Sequence, residues 1–300
     1  MNKTLKGIIF TLIGGISWGF CGSCGEFLFK FRNFNPNWVS CVRLPLAGII
    51  LFLLAFAKDK KAVFNIFKVK KDVVTLIAFG IFGLLISQFG YLTTISHSNS
   101  GTATILQYTA IAMILIVVCL KSRRLPNLFE SVALLFALCG TFLIATHGNF
   151  GLMVISKECL LWGLFAAVGV VCYSIIPEKI LQKYGSTAVS GYGMIIGGIV
   201  LNLFLRPWQY SVTLDLSAFL ALCGVIIIGT VVAFNLYLIG VSLIGPVKAG
   251  MVAAIEPVAA AVFSALWLKT TFSAIDIIGF ILIISTVFLI NIPNKKEQKL

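Results

Sequence analysis

Charge is what this sequence has least of. Only 11% of its 300 residues are charged, and Asp and Glu together number ten, where a soluble domain carries about 25% charge. The longest polar stretch, about 58–72, is too short to enclose a core, so no appended soluble domain is encoded. His occurs twice. The eight Cys (Cys21, Cys24, Cys41, Cys119, Cys139, Cys159, Cys172, Cys223) lie in or at the ends of apolar stretches, with neither the loop framework of a secreted protein nor metal-ligand spacing. They read as small apolar packers, Cys21-x-x-Cys24 included. There is no Gly-x-x-x-x-Gly-Lys-[Ser/Thr] phosphate loop and no His-Glu-x-x-His, and no Ser nucleophile elbow is expected. Nucleotide hydrolysis and zinc-protease chemistry are thereby excluded, and neither metal nor cofactor is expected.

What the chain does have is length of apolar run. Apolar residues make up 59% of it and the mean hydropathy is +1.05. They fall into ten stretches of about twenty residues: 5–27, 37–57, 73–95, 101–120, 127–146, 158–178, 188–206, 216–241, 246–267 and 274–292. At 1.5 Å per helical residue each matches a bilayer core of about 30 Å. The expected fold is all-α and integral to the membrane, with ten transmembrane helices. The first stretch is too long for a signal-peptide core and shows no cleavage site, so it is expected to be retained.

The net charge of +13 could suggest nucleic acid, but its placement argues for orientation instead. With the N-terminus inside, 17 Lys and Arg fall in cytoplasmic loops and termini and 5 outside (Lys30, Arg32, Lys157, Arg206, Lys269), with Arg43 left inside a span. That bias is the positive-inside pattern. It predicts a multi-pass protein of a bacterial cytoplasmic membrane with both termini in the cytoplasm, touching anionic lipid rather than nucleic acid.

The second five spans echo the first. The segment around Tyr91 faces the one around Tyr237 at an offset of 146, and Ser100-Gly101 through Gln107-Tyr108 faces Ala249-Gly250 through Glu256-Pro257 at an offset of 149. Five spans is an odd number, so a second copy must insert upside down. Two inverted five-helix repeats, 1–150 and 151–300, are expected, with one site between them that can open to either side.

The chain resembles the EamA-type transporters of the drug/metabolite transporter superfamily. The resemblance rests on Ser17-Trp18-Gly19, Arg43-Leu-Pro-Leu-Ala47-Gly48, the Tyr91 turn into Gly101, Gly140, Glu256-Pro257 and Gly279. It departs where members carry Gly-Glu-Arg: here Lys121-Ser-Arg-Arg124 and Lys269-Thr-Thr271 stand. Tyr108 occupies the position that faces Pro257. The resemblance implies export of small metabolites such as amino acids.

Glu256 is the sharpest candidate for the transport chemistry. It is expected about ten residues into a span, where a carboxylate costs about 2.5 kcal/mol or more on insertion scales. It would either titrate, coupling protons to export, or hold the ammonium of a zwitterion. Pro257 removes a backbone donor and leaves the carbonyl region of Val252 or Ala253 exposed. Gln107 is its neutral counterpart, with Thr104 on the same face and Tyr108 beside it as an aromatic wall with a hydroxyl. Glu26 and Arg43 form a second candidate pair, closing an outer gate, making a structural salt bridge, or leaving Arg43 to a substrate carboxylate. Trp18 flanks a stripe of Gly15, Gly19 and Gly22, and reads either as core or as a stacking surface. Gln88 with Tyr91, and Asn235 with Tyr237, are polar groups that must face protein or cavity. Glu130, Glu158, Asp215 and Asp276 lie near span ends and are expected to meet water. The leading expectation is a secondary transporter whose partners are a small-molecule substrate, protons and lipid. The alternatives are a flippase for lipids or lipid-linked sugars and a membrane-integral enzyme. Oligomeric state is not legible.

Overall fold

The computed structural model describes residues 3–147, 154–244, 249 and 252–290. No strand occurs among them. The apolar helices, in chain order, are α1 (Lys3–Arg32), α2 (Pro36–Lys58), α3 (Lys70–Ser96), α4 (Ser100–Lys121), α5 (Leu128–Thr146), α6 (Lys157–Ile175), α7 (Ser186–Leu205), α8 (Leu216–Val241, continuing to Ile244), α9 (Ile255–Leu268) and α10 (Ala274–Ile290). Seven of these are long and apolar enough to cross a membrane; α5, α9 and α10 are shorter. Part of the ninth expected span, with Lys248 and Gly250, lies outside the described residues, as do Lys295, Lys296 and Lys299.

The helix ends follow local chemistry. Asn35, Asn99, Ser156 and Asp215 cap α2, α4, α6 and α8 through their side-chain oxygens, and Asn127 and Glu130 close a capping box on α5, each satisfying backbone donors that a helix start leaves open. Three boundaries differ from expectation. α1 runs on to Arg32 instead of ending near 27; Leu28 and Phe29 stay buried while Lys30, Phe31 and Arg32 are exposed. α6 stops at Ile175, since Pro177 cannot continue it and instead begins a separate short helix, Glu178–Tyr184. The polar stretch after α2 is not a plain loop but contains a 3₁₀ helix, Ala62–Lys68.

Every long helix makes its most extensive contact with the other half of the chain. α1 lies against α8 and α9, while α6 lies against α3 and α4; α2 packs on α7, and α5 on α10. The last two contacts are reciprocal through glycine. A Cβ on Gly48 would stand 2.9 Å from the Gly191 carbonyl, and one on Gly191 would stand 3.2 Å from the Gly48 carbonyl. Gly140 and Gly279 meet in the same way, at 2.9 and 3.0 Å. Lipid is as apolar as a leucine side chain, so close backbone approach rather than water exclusion must hold such helices together.

Four helices carry irregularities. α3 widens to π-helix over Phe79–Leu85 and α8 over Gly224–Val232; the offset of 146 that relates Tyr91 to Tyr237 carries 79–85 onto 225–231, within the second stretch. α4 is interrupted at Thr109. In α9 a turn at Ala254 separates Ile255 from the helical residues 252–253. A π stretch shifts the hydrogen-bond register and often marks a functional position.

Candidate functional site

The two interruptions meet. From α4 the Tyr108 hydroxyl reaches 3.2 Å to the Ala253 carbonyl, just before the α9 turn, and 3.2 Å to Oε2 of Glu256, just after it. Glu256 therefore stands in the first turn of α9 beside Pro257, half-buried. A phenol has one proton, so Tyr108 can satisfy the carbonyl or an ionised carboxylate, not both fully. Gln107 donates to the Ser87 carbonyl of α3 at 3.5 Å. Thr104 is fully buried, bonded to the Tyr91 hydroxyl at 2.9 Å and donating to the Ser100 carbonyl at 2.8 Å.

Around this point stand the aromatic residues. Trp18 packs edge-on to Phe234 at 5.3 Å and tilted against Tyr237 at 5.2 Å. Tyr108 bonds Glu256 directly, and Tyr91 reaches Thr104, one helical turn before Tyr108 on α4. Tyr173, on α6 against Gly83 of the α3 π stretch, was not singled out from the sequence. Its signal there is slight: a tyrosine in a helix otherwise rich in Gly, Ala and Val.

Arg43 comes in from α2, only 3% exposed. Its Nε donates to the Thr230 hydroxyl at 3.2 Å, and Thr230 in turn donates to the Val225 carbonyl five residues back, at 3.0 Å. That carbonyl is offered by the π stretch of α8, a second feature not found from sequence. Nη1 of Arg43 is buried without a hydrogen-bond partner. No ion pair among the described residues includes Arg43 or Glu256.

The expected pairing of Glu26 with Arg43 is not made. Glu26 is fully buried and takes four hydrogen bonds elsewhere: Oε1 from Lys30 at 2.8 Å and Thr270 at 2.9 Å, Oε2 from the Ser100 backbone N–H at 2.8 Å and Ser264 at 2.7 Å. Lys30 lies one helical turn along α1, and the backbone N–H left open at the start of α4 favours an anion. Glu26 so ties α1 to the start of α4 and to the end of α9. Asn235 donates to the Val231 carbonyl of its own helix at 2.8 Å. The described residues give Gln88 no hydrogen bond.

Of the acids expected to meet water, Glu130 is buried and Asp276 is only partly exposed. Glu130 is held by both terminal guanidinium nitrogens of Arg124 at 2.7 Å, and Asp276 bonds His147 at 2.9 Å and Ser273. Asp215 does lie at the surface, where the Ala218 N–H and the Ser217 hydroxyl hold its carboxyl below the usual range. At the opposite end of the bundle, Asp72 accepts from Lys183 at 2.8 Å and Tyr184 at 2.7 Å. That contact holds the Lys183 ammonium above its usual value. Gly15-Ile-Ser17-Trp-Gly19 has the letters of a nucleophile elbow, but it lies within unbroken α1, with no strand-to-helix kink to present Ser17. No group of three His, Cys, Asp or Glu able to hold a metal occurs among the described residues.

An apolar helical bundle with a few buried polar groups at helix breaks has the build of a carrier. The comparisons agree: residues 5–146 and 157–292 match the EamA-like transporter family. This chain belongs to that family. Its EamA relatives include the uncharacterized inner membrane transporter YicL of Salmonella typhimurium, 34% identical over 299 residues, 100% of this chain and 99% of YicL. The uncharacterized transporter YetK of Bacillus subtilis is 23% identical over 273 residues, covering 86% of this chain and 79% of YetK. A crystal structure of a protein 17% identical shares the fold, with a TM-score of 0.63 over 96% of each chain. This EamA protein is thus a multi-pass membrane protein and a transporter.

Proposed function

We propose that this transporter is a secondary exporter of small metabolites such as amino acids, built as two inverted five-helix repeats that cross the membrane ten times, with both termini in the cytoplasm. The observation that carries the reading is the meeting of Tyr108 with the Ala253 carbonyl and Glu256, where two helix interruptions face each other at a polar centre. Broken helices in corresponding positions are where inverted-repeat carriers hold cargo and coupling ions. The exchange of partners (α1 with α8 and α9, α6 with α3 and α4) and the paired π stretches support the repeat. The distribution of Lys and Arg supports the orientation.

Glu256 supplies a route to proton coupling. Ionised, it draws the single Tyr108 proton to itself and the Ala253 carbonyl loses its donor. Protonated, the carboxyl donates to the Tyr108 oxygen and frees the phenol proton for Ala253. One proton on Glu256 thus decides whether the turn at Ala254 is pinned to α4 or released, a small bistable element of the sort alternating access requires. In the proposed orientation the Glu26 cluster closes the outer side and the Asp72–Lys183 contact lies on the cytoplasmic side.

The test is counterflow of labelled amino acids into proteoliposomes loaded with pooled amino acids, with and without a pH gradient. Gradient-dependent uptake that Glu256→Gln abolishes is the expected result. A Glu256→Gln protein that still exchanges cargo in step with the gradient would remove the coupling role, and wild-type uptake from lipid or lipid-linked sugar pools alone would redirect the reading to a flippase.

A further inference from the structure

We infer that the segment between α2 and α3, residues 58–71, is a docking site for acidic phospholipid, with Phe64 and Phe67 seated at the top of the acyl chains and the flanking lysines on the headgroup phosphates. The inference rests on the multi-pass membrane fold alone, and not on the cargo, the coupling or the orientation.

The segment has two apolar rows. Ala62–Lys68 is a 3₁₀ helix, in which residues three apart stand one above the other. Val63 and Ile66 make one row and are buried, at 4% and 1% exposure. Phe64 and Phe67 make the next row, and each is 50% exposed. The inner row is fixed to the bundle, because the Tyr192 hydroxyl of α7 donates to the Val63 carbonyl at 3.2 Å. The fold thus holds the outer row out. Phe64 lies 6.4 and 6.2 Å from the rings of Phe52 and Phe56 on α2, and Phe67 meets Tyr192 edge-on at 5.2 Å. The exposed rings therefore continue an aromatic surface that begins on membrane-crossing helices of both halves.

Charge completes the layout. Lys58, Lys60 and Lys61 precede the 3₁₀ helix, Lys68, Lys70 and Lys71 close or follow it, and all six are exposed. Seven residues at about 2.0 Å each put the two groups roughly 14 Å apart, with the phenylalanines between them. Residues 58–72 include only two acids, Asp59 and Asp72, and Asp72 is taken by Lys183 and Tyr184. Exposed rings with cations on both flanks suit an element that lies in the headgroup layer, and a lysine cluster beside a crossing helix attracts acidic lipid. Connectivity favours lipid over a soluble acidic partner: α2 ends at Lys58 and α3 begins at Lys70, so both ends of the segment are held at the membrane surface. Orienting the chain during insertion requires the lysines but gives no reason for two half-exposed phenylalanines among them.

The test uses the full chain purified in detergent and mixed with equal amounts of phosphatidylglycerol and phosphatidylcholine, the retained lipid being counted by native mass spectrometry. Wild type is expected to retain phosphatidylglycerol at least fivefold over phosphatidylcholine, and to lose most of that preference in high salt, which screens headgroup contacts. Lys60→Gln with Lys61→Gln should lower the preference severalfold. Lys3→Gln with Lys6→Gln removes the same charge from the same end of the bundle and should leave it within twofold. Phe64→Ser with Phe67→Ser keeps every charge, and with it the insertion signal, and should still lower phosphatidylglycerol retention severalfold. An equal loss in the Lys3 and Lys6 pair, or full retention in the phenylalanine pair, would overturn the inference. So would displacement of the lipid by soluble glycerophosphate or polyglutamate, since a free phosphate or an acidic peptide would then satisfy the site without a membrane. Should the phenylalanine pair fail to elute as a single species, hydrogen exchange on wild type in nanodiscs carries the test. The amides of 62–68 should exchange severalfold more slowly with phosphatidylglycerol present than in phosphatidylcholine alone, and equal exchange would sink the docking site.

Discussion

Glu26 takes four hydrogen bonds from four different residues, whereas Glu256 takes a single shared one from Tyr108. Both are carboxylates set among apolar helices, where each must be compensated or it will destabilise the fold. Glu26 is compensated so completely that nothing remains for a ligand; its partners come from α1, α4, α9 and the residues after α9, so its effect is to hold helices together. Glu256 and Arg43 are left incomplete, and under the proposed function that deficit is where a cargo or a proton would enter. The comparison teaches that two carboxylates set among apolar helices can differ in degree of satisfaction far more than in charge.

Four substitutions sharpen or break this contrast. The largest effect on stability is expected from Glu26→Ala, which strands Lys30 and three other donors: a loss of about 3 kcal/mol or more, read as a fall in melting temperature of the detergent-solubilised protein. Gly48→Val comes next. A side chain there meets the Ile195 backbone nitrogen at 2.7 Å, and forcing α2 off α7 should cost about 1–3 kcal/mol by the same assay. Ser264→Ala removes one of the four Glu26 donors and should cost about 1.5–3 kcal/mol, in the range for a hydrogen bond to a charged group, and less than Glu26→Ala. Glu256→Gln should be the mildest, within about 1 kcal/mol of wild type, because the amide keeps an acceptor for Tyr108. If Glu256→Gln proved as damaging to melting as Glu26→Ala, the division between holding and working carboxylates would fail.

Much of the fold was legible from hydropathy, since lipid imposes its thickness on every crossing: nine of the expected stretches overlap described helices closely, and the ninth in chain order overlaps α9. Most of the irregularities were not. Hydropathy is blind to hydrogen-bond register, so the π stretches of α3 and α8 carry no mark beyond a few glycines; the turn at Ala254 is marked only by Pro257, which withholds a donor from the carbonyl region of Val252 or Ala253. Glu256, Tyr108 and Tyr91 stood out because polar groups in apolar runs are costly. Glu26 stood out for the same reason, but its partners could not be read. Ser100 and Ser264 lie 74 and 238 residues away and are common residues in unremarkable positions. Lys30, at the i+4 position, was visible, and a helical-wheel argument would have preferred it to Arg43. Thr230 and Tyr173 became apparent only when the helices that carry them were brought against α2 and α3.

The exchange of partners between halves has a consequence for how the polypeptide could be divided. Because α1 leans on α8 and α9 while α6 leans on α3 and α4, neither half encloses an interior of its own; each presents the other with its missing wall. Two separately synthesised fragments, one ending at residue 147 and one beginning at 154, would each expose Gly48 and Gly140 or Gly191 and Gly279 as bare backbone grooves that fit the complementary fragment. The protein is in that sense a heterodimer written on one strand, and a split version of it would be a sensor for the encounter of its own pieces in the bilayer.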